Sequence, residues 1–184
     1  GIFPGNTASI QLLNIYGGKP NNSVNSAQGI GSMESNKNTN TVYQAWMQQA
    51  FSKNKYSVLF GLYDINSEFY VNNAAALFLT PAFGLGSDLG LTGINGPSTF
   101  PVTSLGVRIK GGFENHGYWE IAGLDGVSGD PNNLAGTHIL LSRADGVLLI
   151  GEAGYLISPD KPLNGKLSLG AWTYTALYND LVDT

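Results

Sequence analysis

The sequence predicts an all-β fold, an antiparallel transmembrane β-barrel with long external loops. Two observations predict this fold. Residues 103–113 alternate between apolar and polar or small side chains, which is the pattern of a strand with one face in lipid and one in water. The chain is also 42% hydrophobic but only 12% charged, about half the usual share of charged residues. Its polar surface must therefore come from Asn, Ser, Thr and 25 glycines.

Composition excludes several classes of function. The chain has no cysteine, which rules out disulfides and thiolate metal sites. A net charge of −4 argues against a nucleic-acid partner, which requires a basic surface. His116 and His138 are the only histidines and lack the spacing of a zinc site. We therefore expect no cofactor and no metal. No apolar run is long enough for a transmembrane helix.

The first half of the chain predicts three strands. Residues 7–16 read as the first strand and are followed by a long polar loop up to about residue 40. Residues 42–51 and 56–63 read as two strands joined by the short polar turn at 52–55, which predicts a hairpin. A helix remains possible over 42–51, because Trp, Met, Gln and Ala tolerate helices well.

The stretch at 61–71 passes from an apolar strand into a polar, aromatic loop. We expect residues 67–96 to form a structured loop that folds inward, with a short helix near 73–79. The clearest strand follows at 103–113. Leu105, Val107 and Ile109 share one of its faces, and Arg108 and Lys110 lie on the other. A turn at 114–117 leads into a strand at 118–125.

The last part of the chain predicts a loop at 126–137, a short strand near 138–142, and a final pair of strands at 147–157 and 166–177. Residues 158–162 join that pair. Short turns thus alternate with much longer connections, as in outer-membrane barrels. Four aromatic residues near strand ends on the apolar face suit the interfacial girdle of such a barrel. They are Tyr56, Phe113, Trp119 and Tyr155.

Five segments in this order resemble the carbohydrate-selective porin family, OprB-like. They are Tyr43-Gln-Ala-Trp-Met-Gln-Gln-Ala-Phe51, Gly61-Leu-Tyr-Asp-Ile-Asn-Ser-Glu-Phe69, Leu77-Phe-Leu-Thr-Pro-Ala-Phe-Gly84, Phe100-Pro-Val-Thr-Ser-Leu-Gly-Val-Arg108 and Gly151-Glu-Ala-Gly-Tyr155. The resemblance implies a barrel in the Gram-negative cell outer membrane. It also implies passive diffusion of carbohydrates, with no enzymatic activity. Mono- or oligosaccharides and outer-membrane lipid are then the expected partners.

The family resemblance implies a barrel of sixteen strands, and the sequence supplies roughly half of them at about 10 residues a strand. We therefore expect residues 1–184 to be a single β-barrel domain, a partial segment of a longer porin. Porins of other families often form trimers, so a second copy of the chain is also an expected partner, in a homo-oligomer.

A diffusion pore needs polar groups that replace the hydration of a sugar and aromatic rings that stack on it. Alternation directs Arg108, Lys110, Glu120 and Glu152 into the lumen, since a Lys or Arg in mid-membrane would cost about 2–4 kcal/mol. Arg108 is the best candidate for a constriction, because its guanidinium offers a fork of donors. Alternatively, these charges only solvate the wall.

Trp46 shares a face with Gln44 and Gln48, which predicts a sugar-stacking platform in the lumen. In the alternative interpretation Trp46 packs against lipid or core. Asp64 and Glu68 begin the inward loop and would place acid opposite lumenal arginine. Asp64 could equally cap a turn by accepting from nearby backbone N–H groups.

Two other functions fit parts of the sequence. A soluble, secreted β-sandwich that binds sugars, like a lectin, explains the low charge, the aromatic residues and the long polar loops. It requires the apolar faces to meet in a closed core. A hydrolase would need Glu120 and Glu152 about 5–10 Å apart in a cleft.

Overall fold

The computed structural model describes residues 4–27, 29–35, 37–113, 116–137, 139–159 and 165–178. The described chain folds into one antiparallel sheet of seven strands whose spatial order is the chain order. β1 and β7 form its two edges. The strands are β1 (Asn6–Ile15), β2 (Thr39–Phe51), β3 (Tyr56–Tyr63), β4 (Ser104–Phe113), β5 (Gly117–Asp125), β6 (Val147–Ile157) and β7 (Gly165–Tyr174).

All seven long strands expected from the sequence are confirmed, and residues 42–51 belong to β2 rather than to a helix. The further short strand near residue 138 is wrong. Residues 139–142 form no strand, and His138 lies outside the described residues. In that segment a run of three apolar residues is not followed by the alternation that a sheet requires.

One face of the sheet, which we call the outward face, is mostly apolar. The register places Phe60 opposite Val107, and Ile109 opposite Ile121. These side chains are exposed, although they are large and apolar. A sandwich would have covered this face with a second layer, but the described residues form a single sheet. Lipid is the environment that suits such a face.

The opposite face, which we call the inner face, is covered by the connection between β3 and β4. Ile65, Phe69 and Leu89 from this connection are fully buried against Leu124 and Leu148 of the sheet. Burying these side chains draws residues 64–103 onto the wall, because each removes a large apolar surface from water. The expected inward-folding loop is thus confirmed, and we call residues 64–103 the inward loop.

The inward loop contains only short helices. The 3-10 helices are Ile65–Ser67, Ala75–Leu77 and Pro81–Phe83, and the four-residue helix α2 spans Ser87–Gly90. The preceding loop has another four-residue helix, α1, at Asn21–Val24. No helix in the described parts of the chain is long and apolar enough to cross a membrane.

The two ends of the sheet differ in the length of their connections. β2 and β3 are joined by residues 52–55, whereas residues 64–103 join β3 to β4. The predicted turns at 114–117 and 158–162 lie partly outside the described residues. Aromatic residues of the outward face gather at the end with short turns, where Phe51 lies opposite Tyr56, and Phe113 opposite Gly117. This agrees with an interfacial girdle.

Candidate functional site

A cavity of about 1040 Å³ lies between the inward loop and the inner face of β4 to β7. Alternation along the strands turns charged and aromatic side chains of the wall toward it. The wall contributes Lys110, Tyr118, Glu120, Glu152, Lys166 and Trp172. The loop contributes Glu68, Tyr70 and Asp88 among others.

Glu68 links the inward loop to β4. Its carboxylate accepts from Arg108 Nη2 at 3.2 Å and from Lys110 Nζ at 3.4 Å. The Arg108 side chain is 1% exposed and donates further to Gln48 Oε1 at 2.5 Å and to Ser57 Oγ at 2.6 Å. Arg108 therefore fastens the loop to the wall, while Lys110, whose side chain is 38% exposed, presents its ammonium to the cavity.

Glu120 lies directly opposite Lys110 on one side and Glu152 on the other. Its carboxylate is buried and forms an ion pair with Lys110 Nζ at 3.1 Å. A buried carboxylate is stable only when it is paired. Lys110 thus bridges two carboxylates, one from the loop and one from the wall.

Glu152 forms a second link between wall and loop. It accepts from the backbone N–H of Tyr70 at 2.9 Å and from Lys166 Nζ at 3.0 Å. The Tyr118 hydroxyl also donates to it. The ammonium groups of Lys110 and Lys166 lie 5.7 and 5.4 Å from the centre of the Tyr118 ring. Both distances are within the range of a cation–π contact.

Gln44, Trp46 and Asp64, which were candidates for the site, lie away from the cavity. Gln44 donates to Gln11 Oε1 at 3.1 Å and accepts from the Trp46 indole at 3.2 Å. Trp46 is on the inner face, as expected, but packs against the buried cluster beneath the inward loop. This contact favours the alternative interpretation of Trp46 as a packing residue.

The contacts of Asp64 favour the alternative in which it caps a turn. Its carboxylate accepts from the backbone N–H of Asn66 at 2.8 Å and from the Tyr43 hydroxyl, and it caps the 3-10 helix Ile65–Ser67. Burial raises the pKa of Asp64 and outweighs these hydrogen bonds, which act in the opposite direction. Asp64 therefore anchors the start of the inward loop.

The structure brings together five of the nine expected site residues around the cavity and its loop contacts. They are Glu68, Arg108, Lys110, Glu120 and Glu152. Gln48 joins them as the acceptor for Arg108. Sequence reasoning missed Tyr70, Asp88, Tyr118, Lys166 and Trp172. Alternation along β7 could have revealed Lys166 and Trp172, because both belong to the same face of that strand.

The residues proposed for a hydrolase, and those that could bind a metal, show no arrangement suited to either chemistry in the described parts of the chain. Glu120 and Glu152 are neighbours across two strands, but each is ion-paired with a lysine. In the described parts of the chain, no three His, Cys, Asp or Glu residues gather in a way that could hold a metal ion.

Comparisons with known proteins agree with this geometry. The family model for carbohydrate-selective porins of the OprB family matches residues 1–184. The high-pH structure of Pseudomonas putida OprB is similar, with a TM-score of 0.63 and 22% sequence identity. The match covers 80% of this chain and 34% of that chain, so this chain spans about a third of that porin's length. No curated protein matches the chain significantly.

The structural match extends the fold assignment from an antiparallel sheet to the wall of a porin. Members of the matched family are channels of the Gram-negative outer membrane, and this location agrees with the apolar outward face. The chain belongs to the OprB family of carbohydrate-selective porins.

Proposed function

We propose that this chain forms part of the wall of a porin through which carbohydrates diffuse passively across the outer membrane. The observation that carries the proposal is the contrast between the two faces of one sheet. The outward face is apolar and exposed, whereas the inner face borders a cavity of about 1040 Å³ lined by charged and aromatic side chains. Such a wall separates a water-filled lumen from lipid.

The ion pairs at the cavity indicate the kind of solute. Four carboxylates and two lysines line the cavity, so the lining supplies donors and acceptors and carries an excess of negative charge. They are Glu68, Asp88, Glu120, Glu152, Lys110 and Lys166. A pore lined in this way favours neutral polar solutes over anions. Neutral mono- and oligosaccharides have the required chemistry.

Aromatic rings supply the second element of sugar recognition. Trp172 and Tyr118 line the cavity beside the ion pairs, and ring faces of this kind stack on the C–H surface of a pyranose. We propose Trp172 and Tyr118 as the stacking contacts. Lys110 and Lys166 are the proposed hydrogen-bonding contacts.

Five other expected site residues do not line the cavity and instead stabilise the wall and the inward loop around it. Gln44, Gln48, Asp64, Trp46 and Arg108 are assigned to the inner wall and to the attachment of the inward loop. We further propose that residues 1–184 belong to a single β-barrel domain and supply one segment of its wall. The apolar outward face would then contact outer-membrane lipid.

The direct test is flux through the native protein, extracted in detergent and reconstituted into liposomes. We expect a neutral monosaccharide to enter faster than an anion of similar size. Extraction into plain buffer with the fold intact, or liposomes that stay sealed to sugars, would contradict the porin function. The former result would instead support a soluble sugar-binding protein.

The same assay separates the two tryptophans of the inner face. Trp172→Ala is expected to lower sugar flux severalfold with the fold retained, because it removes a ring that lines the cavity. Trp46→Ala is the matched control, since both half-buried rings pack against the buried cluster but only Trp172 lines the cavity, so Trp46→Ala is expected to affect stability more than flux. Equal losses of flux in the two variants would contradict this assignment.

A further inference from the structure

Tyr70 stands out among the residues that border the cavity. It follows the fully buried Phe69 in the inward loop, yet Tyr70 itself is 41% exposed. The chain therefore turns the ring away from the wall directly after burying its neighbour. Tyr70 lines the cavity together with Lys110, Lys166 and Asp88.

The backbone of Tyr70 has an unusual conformation. Its φ is +64°, in the left-handed region that a bulky residue other than glycine rarely adopts. Such conformations persist where surrounding contacts determine them, and they gather at ligand clamps and other functional positions. The contacts around Tyr70 are therefore informative.

Three contacts fix the position of Tyr70. Its backbone N–H donates to Glu152 Oε2 at 2.9 Å. Its hydroxyl lies 3.3 Å from both carboxylate oxygens of Asp88. Gly86 packs so closely on that hydroxyl that a Cβ at position 86 would lie 2.7 Å from it. Tyr70 is thus held at its backbone by the wall, through Glu152, and at its hydroxyl by the loop, through Asp88.

We propose that Tyr70 sets the upper size of the solute that passes this part of the lumen, and that Glu152 is the positioning residue that holds it there. This inference rests on the proposed function. Glu152 is suited to the role because its carboxylate is itself held by Lys166 at 3.0 Å and by Tyr118. The position of the ring is therefore coupled to the wall rather than to the loop alone.

Two substitutions of Tyr70 change the size limit in opposite directions. Tyr70→Gly removes the ring and suits a positive φ, so the native backbone is retained. We expect the ratio of trisaccharide to monosaccharide flux in liposomes to rise at least about twofold, since selectivity follows the width of the pore. Tyr70→Trp should lower that ratio. Leu77→Ala is the control, because Leu77 is exposed on the same loop and does not border the cavity.

Glu152 is tested through the same flux ratio. Glu152→Ala removes the acceptor for the Tyr70 N–H and should raise the ratio, while Glu152→Gln keeps an acceptor oxygen and should raise it less. In the double variant Tyr70→Gly with Glu152→Ala, the ratio should match that of Tyr70→Gly, because Glu152 acts through Tyr70. Additive changes would assign Glu152 a separate role and overturn its positioning role.

The outcomes separate this inference from the proposed function. Absence of sugar flux in the unsubstituted protein contradicts the proposed function itself. Normal flux with an unchanged ratio in both Tyr70 variants overturns the inference alone. Heat-dependent mobility in gels reports whether each variant is folded. If Glu152→Ala does not fold, the two Tyr70 variants and Glu152→Gln still decide the result.

Discussion

At the scale of single residues, alternation predicts the face of the sheet on which a side chain lies but not how deeply that side chain is buried. Alternation predicts that Arg108 and Lys110 face the lumen, and both lie on the inner face of β4. Only the structure shows that the inward loop covers Arg108 and leaves Lys110 half-exposed. Strand periodicity carries no information about such a cover, because the loop is set by contacts distant in sequence.

Arg108 provides a residue-scale prediction about stability. Arg108→Met would leave Gln48 and Ser57 without their donor and remove one partner of Glu68. Glu68 keeps Lys110 as a partner, so the main cost is that of acceptors left without their donor, about 1–3 kcal/mol, and we expect a loss of that size in the free energy of unfolding. Urea titration in detergent micelles, followed by tryptophan fluorescence, measures it.

Lys19→Met is the matched control for Arg108→Met, since it removes a charge from an exposed loop position. It should leave the unfolding midpoint unchanged. An Arg108→Met protein as stable as the control would show that the guanidinium network contributes nothing to the fold.

At the scale of elements, the hairpins were predictable and the inward loop was predictable only in outline. The turn at 52–55 and the alternation around it define β2 and β3 from sequence alone. The register shift between Gln11 and Leu12 of β1 has no such signal. The same holds for the attachment of the inward loop, which depends on Glu68 meeting Arg108 across 40 positions of the chain.

Gly61 provides a prediction about the pairing of β2 with β3. Its φ is +138°, and a Cβ there would lie 2.6 Å from the backbone Cα of Trp46 on the facing strand. Gly61→Val should therefore prevent the close approach of the two strands, and the backbone strain alone costs about 1–3 kcal/mol. We expect little folded protein in a gel assay of heat-dependent mobility.

Gly18→Ala is the control for Gly61→Val, because a Cβ at position 18 meets nothing within 4 Å. It should fold as well as the natural sequence. Normal folding of Gly61→Val would mean that β2 and β3 can separate at this point without cost.

At the scale of the whole molecule, composition and alternation were sufficient to predict the class of fold. Low charge, many glycines and seven alternating segments indicate a barrel wall, and the family match and the solved porin agree with it. The cavity was not predictable, because it forms between the inward loop and the strands β4 to β7. Strand patterns do not encode how a long loop packs on the sheet.

The two faces of the sheet lead to a final prediction. Val107 is exposed at the middle of the outward face, so Val107→Lys would place an ammonium in hydrocarbon. The expected cost is about 2–4 kcal/mol for a lysine near the membrane midplane, measured by urea unfolding from lipid vesicles. Ser168→Lys is the matched control, because Ser168 lines the cavity and its ammonium would remain in water. Equal stability of the two variants would mean that the outward face is not in contact with lipid.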